Sequence, residues 1–197
     1  MRVGRIHVSL PVEVLAFLAI FTTSLSAQED QTLITGDIES GYFSAPVLKI
    51  TPVDGSTRLL IGARGAWVAN RNYALGLGGY WMIESVESEE VPGQGLRLAY
   101  GGVDLEYIHN TQELLHFSGQ LLLGAGKAWL TGDVPDGSSD WIIIAEPQAN
   151  VELNVTSRFR IAAGLGYRLA AANSLPGVSN GDLGGLAFSL TFKSGSF

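Results

Sequence analysis

The sequence predicts an all-β chain, an eight-stranded antiparallel up-and-down barrel behind a cleavable leader, on three observations. About eight segments alternate apolar and polar residues with a period of two, tight and long connections alternate between them, and the leader stands apart from both patterns. In residues 1–27, Arg2 and Arg5 precede the apolar stretch Val14 to Phe21, and the small residues Ser24, Ser26 and Ala27 follow it. That order is the order of a secretory signal peptide. Cleavage after Ala27 leaves a short N-terminal segment, residues 28–34, and a barrel over residues 35–197.

Removing the 27 leader residues from 197 leaves 170, enough for one domain or one eight-stranded barrel. The leader takes two of the 12 basic and one of the 19 acidic residues, so the mature chain has a net charge of −8. This argues against a nucleic-acid partner, which needs clustered Lys and Arg. The absence of cysteine excludes disulfides, thiolate metal sites and a cysteine nucleophile. With only His7, His109 and His116 present, no metal is expected, and no cofactor. Mean hydropathy is +0.23 although 16% of residues are charged. Past the leader no apolar run approaches the roughly 18 residues of a helical span, so a membrane form of this chain crosses with strands.

In chain order, the first strand, 35–51, ends at the hairpin signal Asp54–Gly55. The second, 57–69, carries Gly62 and Arg64 on one parity and ends at the tight turn Asn70–Asn72. The third, 73–87, sets Gly76, Gly78 and Tyr80 together before the long connection 88–96. The fourth, 97–109, and fifth, 114–131, flank the tight turn Asn110–Glu113, and a loop rich in Gly, Ser and Asp follows over 132–140. The sixth, 141–154, puts Glu146, Gln148, Asn150, Glu152 and Asn154 on one face and Trp141, Ile143, Ala145, Val151 and Leu153 on the other. The seventh, 158–171, repeats the pattern with Arg158, Arg160, Gly164, Gly166 and Arg168 against Phe159, Ile161, Leu165 and Tyr167. The loop 172–182 leads to the eighth, 183–193. Tight turns on one side and long loops on the other are what transmembrane barrels show, with both termini on the tight-turn, periplasmic side.

Symmetric pairing about the tight turns sets Arg64 opposite Gly78 with Trp67 against Leu75, Glu106 opposite His116 and Glu152 opposite Arg160, so that like faces meet in all three hairpins. Alternation alone does not say which face is inside. A soluble, lipocalin-like barrel buries its apolar face; a membrane barrel inverts this. Glycines beside long charged side chains suit a crowded lumen and would only weaken a solvent face. All four tryptophans take the apolar parity near strand ends: Trp67 toward the tight turns, with Tyr73, Tyr107, Phe117 and Phe159, and Trp81, Trp129 and Trp141 toward the long loops. Two such belts are expected at the two interfaces of a bilayer. The charges then face inward.

Over residues 35–197 the chain resembles the small eight-stranded outer-membrane β-barrel proteins of Gram-negative bacteria. Alternate apolar residues before a terminal aromatic, here Leu186, Phe188, Leu190, Phe192 and Phe197, resemble that family's assembly signal. Phe197 has the opposite parity to the other four, which calls for either a bulge in 194–196 or a tail that leaves the sheet. The resemblance implies the cell outer membrane as the location, outer-membrane lipid and the barrel assembly machinery as partners, and a surface ligand of unspecified kind.

The inward parity collects Arg58, Arg64, Arg158, Arg160 and Arg168 with Glu84, Asp104, Glu106, Glu146 and Glu152. In a narrow lumen these are expected to pair as a polar plug, with His116 against Glu106. His116 and Ser118 also form the His-x-Ser arrangement of outer-membrane lipid A deacylases, yet such a site must face lipid, and these two share the inward parity. No catalytic residue is assigned. Asp133, Asp136, Gly137 and Asp140 lack the spacing of a calcium loop, and Leu175 to Val178 is a short apolar loop segment. The expected function is a structural or surface-interaction role for an integral outer-membrane barrel; the alternatives are a soluble periplasmic binding barrel and a membrane-embedded lipid-modifying hydrolase.

Overall fold

The computed structural model describes residues 38–53, 55–83, 86–87, 94–132, 139–172 and 183–197. Nine strands run Ser40–Val53 (β1), Ser56–Ala69 (β2), Tyr73–Met82 (β3), Val86–Glu87 (β4), Gln94–His109 (β5), Leu115–Gly132 (β6), Ser139–Thr156 (β7), Phe159–Ala172 (β8) and Gly185–Ser196 (β9). Each pairs antiparallel with its neighbours in the order β3-β2-β1-β9-β8-β7-β6-β5-β4, and β3 also pairs with β5. The short β4 continues the stave begun by β3, so eight staves close into a ring with β1 and β9 as the seam. Closure satisfies the sheet edges internally.

Strand boundaries depart from expectation where turn chemistry is weak. The first strand starts at Ser40, and the third is interrupted between Met82 and Val86. The fourth and sixth reach further into the loops, and the last runs on to Ser196. At the hairpin signal between β1 and β2, Val53 pairs with Ser56 and Gly55 takes φ +69°, a conformation that glycine adopts without strain; Asp54 lies outside the described residues. At Asn70–Asn72 two successive left-handed residues, Asn70 and Arg71, reverse the chain.

Of the three expected registers, one holds. Arg64 faces Gly78 and Trp67 faces Leu75. Glu106, however, faces Gln120 in place of His116, and Glu152 faces Ala162 in place of Arg160. The β5–β6 connection spans 110–114 because Asn110 turns left-handed at φ 53° and its carbonyl accepts from the Glu113 N–H at 3.0 Å. The β7–β8 ladder shifts between Asn154 and Thr156, so the turn centres on Ser157 and Arg158. Both displacements are even, four and two residues, which preserves the face of every side chain; an odd slip would have inverted the wall.

The wall is apolar outside. Ile143 is 71% exposed and Leu77 67%, and Leu75, Leu165, Leu169 and Phe188 also face outward, whereas Lys193, Glu152 and Arg168 are fully buried. The interior has three layers. At the long-loop end Val53, Leu60, Met82, Leu96, Leu98, Ile142, Ile144 and Leu183 form an apolar cluster. Charged and amide side chains fill the middle. At the tight-turn end Phe43, Ala45, Ala66, Val68 and Ala74 form a second apolar cluster, with Phe197 against them. The lumen is therefore not polar throughout: in β5 and β7 the inward parity carries leucines and isoleucines once the strands rise above Tyr100 and Glu146.

Candidate functional site

The middle layer is built by period-two alternation, which sends one side chain inward from every second residue of each stave. From β2, Arg64 donates through Nη2 to Asp104 Oδ1 (2.8 Å) and Glu106 Oε2 (3.0 Å), and through Nη1 to Gln120 Oε1 (3.0 Å). From β9, Lys193 donates to Glu106 Oε1 at 2.8 Å and to Glu152 Oε1 at 2.6 Å. The Ser118 hydroxyl lies between the same two carboxylates, at 2.7 and 2.6 Å. Gln120, Gln148 and Asn150 extend the network. Higher up, Lys49 pairs with Glu146, whose second oxygen accepts from the Tyr100 hydroxyl at 2.8 Å, and the Lys49 ammonium sits 3.6 Å from the Tyr80 ring centre.

Two cations of this layer, Lys49 and Lys193, were missed in the sequence. The pattern ends the last strand at Lys193, whereas the strand runs on and Lys193 continues the inward series Ala187, Ser189 and Thr191. Lys49 was hidden because both faces of β1 are mainly apolar, leaving little contrast to fix the parity. His116, expected against Glu106, lies with Nε2 3.5 Å from Glu152 Oε2 and Nδ1 3.2 Å from the Glu113 carbonyl, because the β5–β6 register carries it past Glu106. Ser118 and His116 are 6% and 1% exposed, so neither reaches a lipid-borne ester.

The arginines divide. Arg64 is paired as described. Arg168 donates from Nε to the Leu183 carbonyl at 2.6 Å and from Nη2 to the Pro52 carbonyl at 3.2 Å, so it ties the long-loop end together. Arg160 is buried with its guanidinium 3.8 Å from the Phe197 ring centre, and the shifted register takes it away from its expected partner Glu152. Arg58 is half-buried near the mouth of β2, and Arg158 sits exposed in the β7–β8 turn, not in the lumen as its parity predicted. Glu84, Asp133, Asp136, Gly137 and Leu175 to Val178 lie outside the described residues.

On the outer face, Trp67, Tyr73, Tyr107 and Phe117 are exposed at the tight-turn level, with Phe159 half-buried beside them; the Tyr73 and Tyr107 rings are 5.3 Å apart. Trp81 and Trp141 are exposed toward the long loops and Trp129 is half-buried there. Phe188 and Phe192 point outward from β9. The parity conflict at Phe197 resolves in neither expected way. The β1–β9 pairing keeps one register from Ile50–Phe188 to Tyr42–Ser196, without a bulge and without the tail leaving the sheet. Phe197 simply keeps its inward parity and stacks on Phe43, with ring centres 5.9 Å apart.

Three solved structures share this architecture. The N-terminal β-barrel domain of Pseudomonas aeruginosa OprF is 14% identical, the match covering 81% of this chain and 99% of that one at a TM-score of 0.54. Ail of Yersinia pestis, in complex with the heparin analogue sucrose octasulfate, is 15% identical over 81% and 99%, at 0.52. Neisserial surface protein A is 13% identical over 79% and 94%, at 0.50. The fold is that of the small eight-stranded outer-membrane barrels. At these identities the likeness is one of fold. No protein-family model and no curated protein sequence matches the chain.

Proposed function

We propose that this protein is an integral outer-membrane barrel with a closed, charge-paired lumen and a structural or loop-displaying role. One observation carries the reading: the wall is inverted, with large apolar side chains exposed and Arg64, Lys49 and Lys193 buried and bonded among four carboxylates and the Ser118 and Tyr100 hydroxyls. In water such a molecule would expose its apolar face and desolvate its charges for no return; in a bilayer both choices are favourable. The two levels of outward aromatics act as interfacial girdles on this reading, and Phe188 and Phe192 serve assembly.

The apolar and aromatic layers above and below the charges argue for a plug in preference to a pore. The buried His116 and Ser118 argue against lipid hydrolysis. The Ail structure contains a polyanion, but the long connections 83–93, 133–138 and 173–184 of this chain hold several Asp and Glu and not one Lys or Arg. Its loops therefore suit cationic surfaces better than sulfated sugars. Carbonate extraction of cell envelopes tests the reading: the mature chain stays with the membrane pellet, while release into the supernatant would identify a soluble periplasmic barrel instead.

A further inference from the structure

The tight-turn end of the barrel carries a cleft that takes no part in the lumen network. Asn72 closes the β2–β3 turn, and Asn110, Thr111, Gln112 and Glu113 form the β5–β6 turn; together they line an open hollow of about 360 Å³. Small-ligand sites occupy roughly 300–1,000 Å³.

The two turns are locked in place, largely by side-chain amides. The Ile108 N–H donates to the Asn72 carbonyl at 2.7 Å, and Asn72 Nδ2 donates back to the Ile108 carbonyl at 2.7 Å. Asn154 Nδ2 donates to the carbonyls of Thr111 (2.9 Å) and Glu113 (2.6 Å), and Asn110 Nδ2 donates to Glu113 Oε1 at 2.9 Å. A cleft whose backbone is fixed in advance loses little freedom when a ligand enters. These bonds leave spare the Asn72 and Asn110 amide oxygens, the Gln112 amide and Glu113 Oε2. Thr111 is only 7% exposed, yet its hydroxyl has no hydrogen-bond partner among the described residues and is not sealed from solvent. A polar group held at a cavity wall in this way is completed by a partner from outside the chain.

The lining selects the class of partner. Among the described residues it is amide, hydroxyl and carboxylate, without Lys or Arg, so it offers no cation to phosphate or a carboxylate. Its one carboxylate is half engaged by Asn110, which leaves too few oxygens for a metal ion. Peptides are recognised by joining a free strand edge or by filling apolar or charged pockets; the ring of strands is closed, and the cleft has no apolar lining residue among those described. A sugar presents hydroxyls on every side, and an acetamido group adds an amide that Asn and Gln match donor to acceptor. We propose that this cleft binds an N-acetylated sugar unit on the periplasmic side of the outer membrane. The side rests on the outer-membrane reading above; the ligand class rests on the cleft.

The test titrates the folded protein, in micelles of a detergent without a sugar headgroup, with the tetramer of β-1,4-linked N-acetylglucosamine and in parallel with maltotetraose, which lacks the acetamido group. In nuclear magnetic resonance spectra the acetylated tetramer shifts the side-chain amide signals of Asn72, Asn110 and Gln112, and maltotetraose leaves them in place. Gln112→Ala and Thr111→Val each weaken binding by about fivefold while the heat-modifiable folded band is unchanged. Gln112 is exposed, so its variant tests the cleft whether or not Thr111→Val folds. Co-sedimentation with insoluble cell-wall glycan, lost in Gln112→Ala, identifies the polymer as the source of the sugar; binding of the tetramer without it identifies a soluble oligosaccharide. Equal response to both tetramers, shifts confined to other residues, or full-strength binding by either folded variant would each overturn the site. A folded micellar barrel that ignores the acetylated tetramer overturns the site alone, whereas a chain that folds in plain buffer and binds it upholds the cleft and overturns the membrane reading.

Discussion

At the scale of single residues, the interior is sensitive because its charges share partners. Lys193 serves both Glu106 and Glu152, so Lys193→Met takes the ammonium from buried Glu152 and leaves Glu106 to Arg64. A loss of about 3–5 kcal/mol is expected for breaking a buried pair, read as a lower urea midpoint of the folded band on unheated gels. Adding Glu152→Gln to Lys193→Met should restore part of it; no recovery would mean that the lysine acts through its aliphatic stem. Outside, Leu165 is 48% exposed near the middle of β8, and Leu165→Arg should cost about 2–4 kcal/mol in a bilayer. Normal membrane insertion of that variant would show that the face is not against lipid. Phe197 packs on Phe43 and under Arg160, so Phe197→Ala should lower the heat-resistant fraction while Phe197→Tyr keeps it. Indifference to both would make the ring a bystander.

At the scale of strands, backbone proximity separates glycines that look alike in the sequence. A Cβ on Gly124 would lie 2.0 Å from the Gly101 carbonyl oxygen and 2.6 Å from the Gly102 Cα, whereas one on Gly119 meets nothing within 4 Å. Gly124→Ala should therefore reduce the folded yield on refolding into micelles, and Gly119→Ala should match wild type. Both glycines sit in β6, so a common effect would point to strand propensity as the cause, not contact. The same scale shows what was legible. The eight staves and their alternating connections followed from the two-residue period and the turn residues between runs, and the inverted faces from the glycines beside long charges and the tryptophans near strand ends. Registers followed only where the turn announced itself, as at Asn70–Asn72. At Asn110 and Thr156 the reversal depends on a left-handed residue and a bulge, which leave little trace in residue type. The partners of His116 and Arg160 were misplaced for that reason, and the apolar upper lumen was overlooked because Ile142 and Ile144 hid among the outward isoleucines.

At the scale of the whole molecule, the stack of apolar, charged and aromatic layers fills an interior that eight staves leave barely wide enough for side chains. Purified protein in planar bilayers should give little or no stable current. Large, long-lived single-channel steps would refute the closed lumen. The ion pairs of the middle layer also join residues far apart in the chain: Lys49 reaches 97 positions to Glu146, Lys193 reaches 87 to Glu106, and Arg64 reaches 40 to Asp104. The two lysine pairs, between staves three and four apart, cannot form in a half-zipped sheet, whose open side would turn the same lysines and carboxylates toward hydrocarbon. Zipping the β1–β9 seam and neutralising the interior are thus one event, late and demanding on the way in, since long-range pairing is slow. The reverse journey has no gentle first step. In the envelope proposed for it, such a protein would outlast the cell that made it, thinned by growth and division and not by coming undone.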